Sequence, residues 1–328
     1  MRVFGCGCAT IALLLAVGIA LLGWLIYADR RFPTTPVVSD IAPGSSTSSI
    51  AAQLRAEGVV SSARLLSGYI RTRRFGGSIQ AAEYDFPAHA TITEIATILA
   101  GGGHPANVWI TIPEGFTARQ VARRLAAAGF GSVQTFDDII THTRLSLDGT
   151  INKGLEGYLF PDTYLVPRHA KPTVLIGMMT QQFMRELPPQ HALLARRLGF
   201  TVPQIVIIAS MVEREAKVDA ERAPMAGVYY NRLRIGMPLE VDATIEYALP
   251  QHKNALSFSD LRIDSPYNTY RYAGLPPTPI ANPGRKSLLA AFHPAASDYL
   301  YYVYRGNGRH QFSRTLDEQR AAERKYLR

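Results

Sequence analysis

Two glutamates, Glu213 and Glu215, close an apolar run that reads PQIVIIASMVEREAKV over residues 203–218. Pro203 suits the first turn of a helix, so the run is expected to be helical. At 100° per residue the two carboxylates then stand about 200° apart and cannot both point into one site. Glu215 follows Met211 by four, Val212 by three and Ile208 by seven, which puts it on the apolar arc. Glu213 has Lys217 four residues on, the spacing of a surface ion pair worth a few tenths of a kcal/mol. Glu215 is therefore the carboxyl expected to be desolvated. Desolvation raises a carboxyl pKa, as a general acid near neutral pH requires. Asp219, one turn on, is expected to push Glu215 the same way when ionised. On periodicity alone, a structural glutamate bonded to a Tyr, Asn or Arg fits equally well.

Downstream, polar aromatic and amide side chains are dense. GVYYNRLRIGMPLEVDATIEYAL (227–249) offers Tyr230, Asn231, Arg232 and Asp242; SPYNTYRYAGLPPTPIANPG (265–284) offers Tyr267, Asn268, Thr269, Tyr270 and Asn282. Tyrosine faces stack on pyranose rings, and Asn, Thr and Asp bond sugar hydroxyls. Structural tyrosines account for many of them as well. His293, just before Pro294, is expected to be a helix-end residue. No GxxxxGK phosphate loop, strand-GxGxxG-helix unit or GxSxG elbow occurs, which disfavours nucleotide and serine-hydrolase chemistry. The only cysteines, Cys6 and Cys8, precede the N-terminal apolar run, and the eight histidines show no HExxH spacing. No metal site and no cofactor are expected.

The elements that must position Glu215 are legible in the pattern. Helices are expected over 172–187, ended by Pro188 and Pro189, over 190–198, over 203–218, and in the stretch closed by Gly236. LEGYLFPDTYLVP (155–167) reads as an aromatic strand and turn, 130–153 as polar connection, and 265–284 as irregular. Residues 288–319 read as a helix followed by a strand pair joined at Gly306–Gly308. Nearer the N-terminus, IAPGSSTSSIAAQLRAEG (41–58) repeats as IPEGFTARQVARRLAAAG (112–129), and YDFPAHATITEIATILAGG (84–102) is related. Each copy reads as strand, glycine turn and short helix with a glycine after it. Such strand–helix units resemble LysM modules, which bind N-acetylglucosamine polymers; a repeat with no ligand fits the pattern too.

The whole chain has 328 residues, 47% hydrophobic and 19% charged, which excludes a disordered or fibrous protein. A net charge of +9 fits an anionic partner or a solvated basic surface. Val3 to Ala28 carries no charge, and its core ATIALLLAVGIALLGWLIY (9–27) is long enough to span a bilayer. The run ends in WLIYADRR without a small-x-small cleavage site, so an uncleaved anchor is expected rather than a signal peptide. Arg2 before the run and Arg30 and Arg31 after it leave orientation balanced. The expected organisation is a short cytoplasmic N-terminus (1–8), a transmembrane anchor (9–29), a linker (30–46), a LysM-like module (47–130) and a larger α+β domain (131–328).

Taken in order, LEGYLFPDTY (155–164), IASMVEREAKVDAER (208–222), YNRLRIGMPLEVDATIEYAL (230–249), YNTYRYAGLPPTPIANPG (267–284), AAFHPAASDYLYYV (290–303) and HQFSRTLDE (310–318) resemble the YceG-like (MltG-type) endolytic murein transglycosylases. The resemblance covers roughly residues 40–328. It implies that Glu215, the second acid of VEREA, is the catalytic residue, the same carboxyl that periodicity selects. Tyr267, Asn268 and Thr269, with Asn231 and Asp242, become candidates for holding the sugar. It further implies an inner-membrane anchor, a periplasmic body, a LysM-like module, and cleavage of the MurNAc–GlcNAc β-1,4 bond within peptidoglycan strands. The family is associated with strand termination near peptidoglycan synthases; nucleic acid is not an expected partner. Two positions depart from the family pattern: Glu240 stands for the usual Gln, and Ala243 for the usual Pro after Asp242. Two other classes remain open: a hydrolase pairing Glu215 with Asp242 or Glu221, and a non-enzymatic, membrane-tethered glycan-binding scaffold.

Overall fold

The computed structural model describes residues 4–27, 31–104, 107–251, 253 and 256–327, with side chains from residue 11 onward. It is a mixed α/β chain that divides into two compact units, Met1–Val108 and Trp109–Arg328.

The first unit begins with α1 (Phe4–Tyr27). Its described side chains, from Ile11 to Tyr27, are all apolar and mostly exposed. Among the described residues no single helix is long and apolar enough to cross a membrane; positions 1–3 and 28–30, at the ends of the expected anchor, lie outside them. Next, β1 (Val37–Ile41) and β2 (Ala82–Phe86) pair antiparallel, Val37 opposite Phe86 and Ile41 opposite Ala82. Between them run α2 (Thr47–Ala56) and α3 (Ala63–Thr72), and α4 (Ile92–Ala100) comes after β2. Ser46, Ser62 and Thr91 cap these helices by accepting a bond from the amide three residues on. Ile41, Tyr84 and Phe86 of the sheet meet Leu54, Leu66, Ile70, Ile95 and Leu99 of the helices in one core. The expected linker over 30–46 thus contains a strand. Ser39 and Ile41 alternate inward and tie it to β2, which its Pro- and Ser-rich surroundings conceal.

In the second unit the order recurs. β3 (Asn107–Thr111) straddles the division; α5 (Ala118–Ala127) and α6 (Val133–His142) come next, then a hairpin of β4 (Arg144–Leu147) and β5 (Thr150–Lys153), and then β6 (Thr163–Pro167), which pairs with β3. The sequence repeat is therefore carried by two strand–helix–helix–strand units, the second with a hairpin inserted before its last strand. Gly44 and Gly115 make the equivalent turns at φ +80° and +75°, and Gly58 and Gly129 the equivalent helix exits at φ +74° and +88°. Residues 130–153, expected as connection, hold α6 and the hairpin. Ser132 caps α6, and Phe136 and Ile140 bury one stripe of it.

The sequence places a boundary at 130/131, whereas the structure divides at 108/109. The second repeat copy is hydrogen-bonded to residues well beyond 131. The Ile112 amide donates to the Asp162 carbonyl at 2.9 Å, and the Asn282 side chain to the Phe116 carbonyl at 2.8 Å.

The rest of the unit surrounds one buried helix. After α7 (Pro172–Glu186) and α8 (His191–Leu198) comes α9 (Val202–Glu215), opened by a Thr201/Gln204 capping box with Pro203 in its first turn. Most of α9, Val202–Pro203 and Ile205–Val212, is buried. α10 (Asp219–Arg234), α11 (Asp242–Ala248), α12 (Arg285–Phe292) and α8 pack on it. A hairpin of β7 (Tyr301–Gly306) and β8 (Arg309–Ser313) and a final helix, α13 (Leu316–Tyr326), complete the unit. Gly157, at φ +88°, lies so close to α9 and its neighbours that a Cβ would enter the Pro279 ring.

Candidate active site

Glu215 is the last residue of α9. The expected helix runs to 218, but the backbone turns extended at Ala216, which is buried. The turn brings the Glu215 carboxyl to the start of α11, where its Oε1 accepts a bond from the Ala243 amide at 3.4 Å. First-turn amides have no acceptor within their own helix, so this donor is available. Asp242 precedes it, and its Oδ1 accepts from the Tyr270 hydroxyl at 2.5 Å.

Burial pushes the Glu215 carboxyl up to about 7, and the charge on Asp242, then that on Glu246, push the same way. The Ala243 amide and Lys217 pull against them. Glu246, one turn along α11, is itself paired with Arg214 at 2.9 Å. Two tyrosines, Tyr229 buried and Tyr302 half-buried, feel the charge of the same carboxyl. The Tyr229 and Tyr302 hydroxyls lie 3.0 Å apart, and both are held well above the ordinary phenol range, by burial first and by the Glu215 charge second. Glu215 is therefore a carboxyl that exchanges its proton near neutrality, among hydroxyls that stay protonated.

Glu213 does not pair with Lys217 on the surface. Its buried carboxyl accepts from the Gly284 amide at 3.0 Å and lies 3.4 Å from Arg222 Nη1. The expected ion pair fails because α9 stops before Lys217. Asp219 likewise does not act on Glu215. It bonds Lys286 Nζ at 2.5 Å and Arg222 Nε at 3.3 Å, and these cations hold its carboxyl below the usual range. Glu221 accepts from His310 Nδ1 at 2.9 Å and from the His310 amide at 3.1 Å. Asp242, not Glu221, is the second carboxylate beside Glu215.

The expected sugar-holding residues part company. Asn268 is fully buried. Its Nδ2 donates to the Leu261 and Ile263 carbonyls at 3.0 and 2.8 Å, and its Oδ1 accepts from the Tyr270 and Arg271 amides. The Thr269 hydroxyl accepts from the Val241 amide at 3.0 Å and lies 2.9 Å from the Thr244 hydroxyl. Asn231 Nδ2 donates to the Ser297 and Tyr299 carbonyls at 2.7 and 3.0 Å. These three side chains hold backbone. Tyr267 bonds Thr278 at 2.8 Å and tilts against Tyr247, ring centroids 4.9 Å apart. Asp242 alone stands beside Glu215, positioned by Tyr270.

One half-buried carboxyl carries no expectation from the sequence. Glu156, in LEGYLFPDTY, accepts from the Ala118 amide at 2.9 Å and from the Tyr247 hydroxyl at 3.1 Å. Burial pushes it up to about 7, against those bonds. It joins the start of α5 to α11, the helix that presents Asp242 and Ala243. A glutamate in an aromatic turn was the available signal, but its partners lie 38 and 91 residues away. Among the described residues no three His, Cys, Asp or Glu side chains converge as a metal-binding group.

A family model described as the YceG-like family matches residues 39–325. The chain belongs to the YceG-like family. It is similar to an endolytic murein transglycosylase of Bacillus subtilis (strain 168), 34% identical over 310 residues that cover 89% of this chain and 85% of the relative. An endolytic murein transglycosylase of Streptococcus pneumoniae (strain D39) is 29% identical over 298 residues, 81% of this chain and 54% of that one. A solved yceG-like protein from Listeria monocytogenes superposes with a TM-score of 0.59 at 29% identity, covering 88% of this chain and 99% of its own. Of the two positions expected to depart from the family pattern, only Ala243 touches Glu215. Glu240 forms an ion pair with Arg232 at 2.8 Å, and Ala243 supplies the amide that a proline would lack.

Proposed function

We propose that this chain is an endolytic lytic transglycosylase of peptidoglycan in which Glu215 is the single acid–base residue. The observation that carries the reading is the placement of Glu215. It is a carboxyl raised to about 7, at the end of a buried helix, held by the Ala243 amide beside Asp242, which Tyr270 fixes. The similarity to proteins named endolytic murein transglycosylase supports the substrate class.

Protonated Glu215 gives its proton to the glycosidic oxygen between MurNAc and GlcNAc, and the C1–O bond breaks through an oxocarbenium-like transition state. The carboxylate so formed takes the proton of the C6 hydroxyl of the same MurNAc. That oxygen closes on C1, giving a 1,6-anhydro end and restoring the acid with no water consumed. Asp242, fixed by Tyr270, keeps Glu215 protonated before the step and offsets the positive charge developing at C1. The anchor, the extracytoplasmic placement of the body and a glycan-binding role for the β1–α2–α3–β2 unit, as in LysM modules, belong to the same proposal. They rest on the uncharged run Val3–Ala28, the exposed apolar side chains of α1 and the strand–helix–helix–strand order. Contact with a peptidoglycan synthase is the partner this placement allows.

Incubation of the full chain with uncrosslinked glycan, read by mass spectrometry, tests the chemistry. 1,6-AnhydroMurNAc ends are expected from the wild type and none from Glu215→Gln. Reducing MurNAc ends would replace this reading with hydrolysis, for which the proximity of Asp242 supplies a second carboxylate. No cut by a folded wild type would leave glycan binding as the function.

A further inference from the structure

The first unit carries a second feature, unrelated to Glu215. Residues 59–82 contain Arg64, Arg71, Arg73 and Arg74 and no Asp or Glu. All four arginines are exposed, and among the described residues none has an ion-pair partner, although Asp40, Glu57, Glu83, Asp85 and Glu94 lie elsewhere in the same unit. Leu66, Tyr69 and Ile70 face the core from α3, so Arg64 and Arg71, two turns apart, share its outer side, and Arg73 and Arg74 extend that side past the helix end. Arg71, in the last turn, and Arg73, at the C-cap, suit the helix dipole, but Arg64 does not. Arg64 sits in the first turn of α3, where a cation opposes the helix dipole.

The level of α3 along α1 is set by contacts made from its inward side and from α4. Tyr69 of α3 meets Tyr27 edge to face, with ring centroids 6.0 Å apart, and the Thr93 hydroxyl of α4 donates to the Ile26 carbonyl at 3.1 Å. The Arg31 guanidinium lies 5.9 Å from the Trp24 ring centroid. Trp and Tyr at the end of an apolar helix mark the headgroup layer of a bilayer. The C-terminal end of α3 therefore stands at that layer, with guanidiniums whose planar donors match a phosphodiester.

We propose that the arginine face of α3 binds the headgroups of anionic phospholipids in the membrane that α1 enters, which seats the first unit on the bilayer surface. The proposal rests on the anchor reading above. Each arginine within the headgroup layer strengthens attraction to anionic lipid by about fivefold.

The test is native mass spectrometry of the full chain released from nanodiscs of equal phosphatidylglycerol and phosphatidylcholine. Wild type is expected to retain phosphatidylglycerol several-fold over its bulk share. Joint replacement of Arg64, Arg71, Arg73 and Arg74 by Gln is expected to return the ratio to the bulk value, and joint replacement by Lys to keep the enrichment. An unaltered thermal midpoint shows that the Gln variant is folded. Equal retention by wild type and the Gln variant, or no enrichment in wild type, overturns the proposal. Carbonate-resistant flotation with pure phosphatidylcholine vesicles tests the anchor separately. If the protein washes off those vesicles, the anchor reading fails, and flotation with phosphatidylglycerol vesicles then decides the arginine face. Loss in the Gln variant supports it, and equal flotation overturns it.

Discussion

Glu215 is poised by neighbours that pull in opposite directions, and two adjacent residues of α11 can be used to move it each way. The Ala243 amide stabilises the ionised carboxylate, while the Asp242 charge opposes it. Ala243→Pro removes that amide at a first-turn position where the family pattern carries proline, so the helix tolerates the change. The Glu215 pKa is expected to rise above about 7. Because the acid must be protonated before cleavage, the alkaline limb of the pH–rate profile should move to higher pH. Asp242→Asn removes the opposing charge while keeping a partner for Tyr270. The same limb should then move to lower pH, by about one unit for every 1.4 kcal/mol of interaction removed. Initial rates of anhydro-end formation from pH 5 to 9 check both. Shifts in one common direction would mean that at least one of the two neighbours does not act through the charge on Glu215.

At the scale of elements, the site is a junction in which the end of α9 meets the start of α11, and Glu156 ties α11 back to α5. Glu156 is half-buried in this tie, and its desolvation has a pH signature. Its folded pKa is raised from 4.5 to about 7, so the folded state holds the proton more tightly than the unfolded chain. Stability from this group is complete below about pH 4.5 and is lost as pH rises to about 7, a change of about 3 kcal/mol. Glu156→Gln keeps acceptors for the Ala118 amide and the Tyr247 hydroxyl without the titration. The difference in urea unfolding free energy between pH 5 and pH 8 should shrink by about that amount; an unchanged difference would mean that Glu156 ionises freely in the folded protein. Legibility divides along the same line. α9 and the inward face of Glu215 are set by the apolar period of 203–215, a local property. The stop at Ala216 is not, because Glu, Arg, Ala and Lys all favour helix and tertiary packing ends it. The partners of Glu156, and the use of Asn231, Asn268 and Thr269 as backbone brackets, depend on contacts distant in sequence. An asparagine that bonds a loop carries the same local pattern as one that bonds a sugar.

For the whole molecule, the decisive matter is where one folding unit ends and the next begins. The two buried cores share no residue: one is drawn from residues 41–99, the other from 147–292. Between them in the chain lies the second repeat copy, whose strand and first helix are bonded to residues 156, 162 and 282. A fragment starting at Trp109 retains all of these bonds. One starting at 131, just past the second repeat copy, leaves β6 without β3, Asn282 without Phe116 and Glu156 without the Ala118 amide. Each unsatisfied buried polar group costs about 1–3 kcal/mol, and several together are comparable to the whole stability of a domain. The fragment 109–328 is therefore expected to unfold in one cooperative transition, with glycan cleavage retained in detergent-free solution. The fragment 131–328 is expected to lack cooperative unfolding and to bind a hydrophobic dye. Circular dichroism melts of the two, run side by side, settle the point. If 131–328 melts as sharply as 109–328, the second repeat copy is an appendage. If only 109–328 does, that copy is part of the body that builds the active site, and the two copies of one repeated pattern belong to separate folding units.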